Sequence, residues 1–144
     1  MSSLNACQPV SGSISGLTSV HSAGVGVIDF IENKIKHFQA PFAGKPFIMA
    51  LCQKAFTEAI FGFYVYDTEL SYGEGWVRRF QEVLFLVARK NGKTPLVGAL
   101  VLAEWFCGKM GQAVMCASND YAQAALVFNA INAFREESRT ISHV

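Results

Sequence analysis

The chain has 144 residues, 51% of them hydrophobic and including 12 Phe, enough to bury the core of one ordinary domain. Only 16% are charged and the net charge is +1, which argues against a self-sufficient basic nucleic-acid binder without excluding DNA contact by a larger protein. No basic-then-apolar leader opens the chain, and the longest apolar run, Pro95 to Cys107, is too short for a bilayer and holds Glu104. A soluble, cytoplasmic protein with no membrane partner is therefore expected. Its four cysteines, Cys7, Cys52, Cys107 and Cys116, have no ligand spacing, and they read as reduced thiols.

Taken in chain order, residues 1–23 are rich in Ser and Gly, lack charge, and read as a flexible N-terminal arm. Val27, Ile28, Ile31, Ile35 and Phe38 recur at helical spacing and predict a helix over Val25–Phe38, acidic early and basic late. Pro41 and Gly44 mark a turn, and a second helix is predicted from Phe47 to Phe63. Tyr64 to Gly75 reads as a loop. Its tyrosines, Tyr64, Tyr66 and Tyr72, read as packing residues or as a partner surface.

Arg78 and Arg79 lead into Val83-Leu84-Phe85-Leu86-Val87, an unbroken apolar run of the kind found in strands buried on both faces. A turn, Ala88 to Thr94, then precedes a very apolar helix over Pro95–Phe106. Ala113 to Ala117 reads as a second buried strand. Ser118-Asn119-Asp120 would cap a last helix reaching about Glu137. Strand, helix, strand, helix in this order predicts an α/β fold with a parallel sheet and flanking helices. The expected organisation is an arm over 1–23, a helical segment over 24–77 and an α/β core over 78–144.

Gly92-Lys93-Thr94 between an apolar strand and an apolar helix is the end of the phosphate-loop pattern G-x-x-x-x-G-K-[ST]. Such chemistry needs a glycine so that successive N–H groups can converge on phosphate oxygens. It also needs a lysine that reaches the β- and γ-phosphates and a hydroxyl that ligates Mg²⁺. Val87 stands where the first glycine of the pattern belongs. Arg89 and Lys90 read either as solvated charge at a loop tip or, for Arg89, as transition-state charge near the γ-phosphate.

The segment Val87-Ala88-Arg89-Lys90-Asn91-Gly92-Lys93-Thr94 resembles the variant phosphate loop of tailed-phage terminase large subunits. Gly44-Lys45-Pro46-Phe47-Ile48, Leu51-Cys52-Gln53-Lys54, Ile60-Phe61-Gly62, Arg78-Arg79-Phe80 and Ala117 to Ala124 are similar to the segments around it, so the likeness runs from about Ile31 to Arg139. The resemblance implies a P-loop ATPase core of the RecA-like type, incomplete here, with ATP and Mg²⁺ as cofactors. It implies that Arg89, Lys90, Asn91, Gly92, Lys93 and Thr94 contact the triphosphate, with Arg89 and Lys93 catalytic and Thr94 on the metal. Gln53 would match the upstream glutamine that reads adenine, although a helical Gln beside apolar residues also serves as a plain boundary residue. Ser118 and Gln123 would couple nucleotide state to DNA, or would be a helix cap and a satisfied polar side chain.

The implied function is ATP-driven packaging of double-stranded DNA into a procapsid, with the portal and a small terminase subunit as partners of the complete protein. No apolar run ending in Asp-Glu follows Thr94, so the metal-holding Asp, the water-polarising Glu and the family's nuclease domain are expected to be missing from what reads as a fragment. An inactive prophage remnant that at most binds nucleotide, and a helicase-like P-loop ATPase, are the alternatives.

Overall fold

The computed structural model describes residues 18–19, 21–67, 75–108 and 111–138. Most of the expected arm, together with Cys7, Tyr72 and the tip of the 64–75 segment, lies outside the described residues. The chain divides into two compact units, Met1–Ile28 with Ala50–Phe85, and Asp29–Met49 with Leu86–Val144. Helix α1 (His21–Lys34) begins in the first and ends in the second.

The first unit holds β1 (Thr18–Ser19), α2 (Leu51–Gly62), β2 (Phe63–Asp67) and β3 (Gly75–Arg78). The strands form an antiparallel sheet in the order β1-β2-β3, with Thr18 opposite Tyr64, Val65 opposite Val77, and Tyr66 opposite Trp76. The hairpin corrects the loop expected over Tyr64–Gly75. Tyr64-Val65-Tyr66 and Trp76-Val77 are aromatic and β-branched residues that favour a pleated surface, and Asp67, Ser71, Gly73 and Gly75 between them mask that signal. A Cβ on Gly24 would lie 3.0 Å from the Glu58 Cα, so the absence of a side chain there permits close approach of α1 to α2. Ala23, Val27, Ile28 and Phe61 are buried here with Thr57, whose hydroxyl donates to the Gln53 carbonyl at 2.9 Å.

In the second unit the chain leaves α1 and folds back on itself. The Phe47 N–H donates to the Ile35 carbonyl at 2.9 Å, the His37 N–H to the Lys45 carbonyl at 2.8 Å, and Lys36 bridges Pro46. The Met49 N–H donates to the Glu32 carboxylate at 2.9 Å. These bonds hold residues 46–49 out of a helix, which is why α2 starts at Leu51 and not at the expected Phe47. They also end α1 at Lys34, short of Phe38.

Helices α3 (Lys93–Cys107) and α4 (Tyr121–Glu137) complete this unit. They pack closely at Gly98, where a Cβ would sit 3.3 Å from the Ala130 Cβ and 3.3 Å from the Phe134 ring. Phe134 is fully buried and meets Phe38 edge-on at 4.8 Å and Phe47 edge-on at 5.8 Å. Ile31, Ile35, Leu96, Ala99, Leu102 and Ala103 fill the rest of this core.

The two stretches expected to be buried strands, Val83–Val87 and Ala113–Ala117, pair with no strand among the described residues. Leu84 and Leu86 are each 82% exposed and Met115 is 93% exposed. Phe85, by contrast, is half-buried with its ring 4.5 Å from that of Phe56, and Val87 is half-buried. A central parallel strand acquires its ladder from a neighbour on each edge. The chain is thus mixed helix and strand, and the sheet it shows among the described residues is antiparallel.

Candidate functional site

Arg89 and Lys90 form a turn, Asn91 and Gly92 a bend, and α3 begins at Lys93. Lys90 has φ 68° and Gly92 has φ 66°, both left-handed, while neither Asn91 between them nor Lys93 after them has positive φ. Left-handed residues on either side of one with negative φ, within a turn, can direct N–H groups toward one side, an arrangement suited to an anion. Gly92 enters this region at no steric cost; Lys90 does not.

Gly92 is also the N-cap of α3, with ψ 24°. Its carbonyl accepts the first helical bond, from the Leu96 N–H at 3.0 Å. Among the described residues, no backbone N–H from Arg89 to Thr94 donates to a backbone carbonyl outside the helix ladder. Pro95, the third helical residue, has no N–H to satisfy, so Thr94-Pro95 is compatible with a helix start.

Electrostatics favour negative charge here. The first turn of α3 holds no acidic residue and its N-cap makes no side-chain bond, so nothing on the helix itself neutralises the positive end of the dipole. Arg89, Lys90 and Lys93 are exposed, and Thr94 is half-buried at the second helical position. Three cations within five residues at a helix N-terminus repel one another, and a bound polyanion relieves that repulsion.

Arg89, Lys90, Asn91, Gly92, Lys93 and Thr94 are therefore gathered in one short turn. Gln53 belongs to the other unit, in the first turn of α2. Its side-chain oxygen accepts the Ala50 N–H at 2.9 Å, so this end of the amide closes the start of its own helix. Its NH₂ group takes no part in that bond. Ser118 does not cap α4: Asp120 is the N-cap, without a side-chain bond, and the Ser118 hydroxyl lies 3.4 Å from the Gln123 side-chain oxygen, with Ser118 exposed.

The left-handed Lys90 is the feature that reading the sequence misses, since lysine carries no signal for that conformation. Among the described residues, no three His, Cys, Asp or Glu side chains group as a metal site, and no helix is long and apolar enough to cross a membrane.

Residues 62–144, more than half of the chain, match the family model described as terminase large subunit, ATPase domain. Neither the curated proteins nor the solved structures gave a match.

Proposed function

Since the chain belongs to the terminase large-subunit ATPase-domain family, we propose that its Arg89–Thr94 turn is the phosphate loop of a DNA-packaging motor. In this reading the N–H groups after Lys90 cradle the β- and γ-phosphates of ATP, and the Lys93 ammonium neutralises them. Arg89 approaches the γ-phosphate as negative charge builds on it. The Gln53 NH₂ reads the adenine edge while its oxygen holds the helix start.

The donor set fits magnesium. Mg²⁺ keeps most of its waters and takes few protein oxygens beside phosphate, and the half-buried Thr94 hydroxyl supplies one. When bound, the ion offsets phosphate charge. Val83–Val87 and Ala113–Ala117 are the proposed strands of a parallel sheet, with Ser118 and Gln123 at the end of the second. The proposed work of the motor is translocation of double-stranded DNA into a procapsid, beside a portal and a small terminase subunit. No apolar run after Thr94 ends in an Asp-Glu pair, so we assign to these residues the binding of Mg·ATP and not the activation of water.

The observation that supports this reading best is the pair of left-handed residues, Lys90 and Gly92, at a helix N-terminus without a side-chain cap. Thermal melting tests it. Mg·ATP at millimolar concentration is expected to raise Tm, and Lys93→Ala to abolish the rise. No shift in the folded wild-type chain would count against a nucleotide site.

A further inference from the structure

We infer that Thr57 is a positioning residue for Gln53, its hydroxyl fixing the helix turn from which the Gln53 amide is presented to adenine. The inference rests on the adenine contact proposed above and adds a residue to it. Gln53 is the third residue of α2, whose N-cap, Ala50, has no side chain able to cap a helix. Leu51 and Cys52, the two residues before it, are exposed. A first helical turn holds N–H groups without ladder partners and opens more readily than the rest of a helix. The bond from the Ala50 N–H to the Gln53 side-chain oxygen lies within that turn and so does not tie it to the core.

The tie runs through Thr57. Its side chain is fully buried, and its hydroxyl donates to the Gln53 carbonyl at 2.9 Å. Thr57, Phe61 and Gly62 are the buried residues of α2. One position after Thr57, the Glu58 Cα would lie 3.0 Å from a Cβ on Gly24, so this part of α2 is held close to α1. A valine would fill the same volume without burying a hydroxyl, whose desolvation is offset only by the bond it makes. What the hydroxyl adds to packing is a hold on the Gln53 carbonyl from the buried side of the helix. Gln53 then keeps helical geometry with its oxygen on Ala50 and its NH₂ left for the base.

The test uses the 144-residue chain and measures affinity for Mg·ATP, Mg·GTP and inorganic tripolyphosphate, with Tm alongside. Thr57→Val keeps the shape and removes the hydroxyl, whereas Thr57→Ser keeps the hydroxyl. Thr57→Val is expected to lower the preference for ATP over GTP about three- to tenfold, the range spanned by one net hydrogen bond. Its affinity for tripolyphosphate, which carries no base, should stay within about twofold of the wild type. Thr57→Ser should keep the ATP preference within about twofold, since the donor remains.

An undiminished ATP preference in Thr57→Val would overturn the inference. Equal losses in Thr57→Val and Thr57→Ser would overturn it too, by assigning the effect to packing and not to the hydroxyl. Equal weakening of all three ligands would mark a general loosening of the fold and would also sink it. Gln53→Ala, measured in parallel, separates these failures from that of the reading beneath. If Gln53→Ala loses the ATP preference while Thr57→Val keeps it, the positioning role alone fails. If Gln53→Ala discriminates as the wild type does, or the wild type shows no preference, the adenine contact fails and the positioning role with it. Should Thr57→Val not fold, Thr57→Cys, close in size and a weak donor, takes its place with the same outcomes.

Discussion

The Lys36 N–H donates to the Ser138 hydroxyl at 3.2 Å, joining positions 102 residues apart. Ser138 is buried just beyond the last turn of α4, and its own N–H returns to the Phe134 carbonyl. The bond ties the end of α4 to the fold-back after α1. Ser138→Ala leaves the Lys36 N–H without this partner and is expected to cost about 1–2 kcal/mol in urea unfolding. The exposed Ser118→Ala should change stability by less than about 0.5 kcal/mol. Equal effects of the two would mean that the Ser138 bond does not hold the unit together.

Gln53 carries two separable jobs, one observed and one proposed. Its oxygen accepts the Ala50 N–H, and the proposed adenine contact uses its NH₂. Gln53→Glu keeps an oxygen acceptor at the helix start, where negative charge also suits the dipole, but removes the NH₂ donor. Stability within about 0.5 kcal/mol of the wild type is therefore expected, with loss of any preference for ATP over GTP in competition binding. Gln53→Ala should lose both, with about 1 kcal/mol of stability going with the cap. Undiminished discrimination in both variants would remove Gln53 from the nucleotide site.

His37 sets a pH dependence whose sign follows from its burial. Its ring lies 4.6 Å from that of Phe47 and 5.8 Å from that of Phe42, and burial lowers its pKa from the ordinary 6.5. The unfolded chain then binds the proton more readily than the folded one. This contribution to stability is fully present above pH 6.5 and is lost as pH falls below it. Tm measured from pH 8 to pH 5 should therefore decline on the acid side. His37→Phe, which keeps the ring packing, should decline less. Parallel curves for the two would rule out His37 as the source.

Much of the helical framework is legible in the order of residues alone. The last helix is expected to reach about Glu137, and α4 ends there, because its apolar residues keep helical spacing. The apolar run after Gly92 likewise announces α3. The helix start expected at Phe47 fails for a reason no local pattern holds: the N–H groups of Phe47 and Met49 donate to Ile35 and to the Glu32 carboxylate. The hairpin over 63–78 is hidden because its turn chemistry dominates a window holding only two short strand-forming runs. For the candidate site, the residue types of Arg89 to Thr94 are readable one by one. The handedness of Lys90 is not, since it opposes the residue's own preference and is a property of the whole turn.

The open segments Val83–Val87 and Ala113–Ala117 also govern how the isolated chain behaves in a tube. Each is a short, uncharged, proline-free apolar stretch with an unpaired backbone, which is the signature of a template for intermolecular strand pairing. Glu82 and Arg89 bracket the first closely and act as gatekeepers against stacking. The second has its nearest charges at Lys109 and Asp120, so association at high concentration should begin at Ala113–Ala117. A charge placed at Met115, the most exposed large apolar side chain in the described residues, is the natural solubilising change.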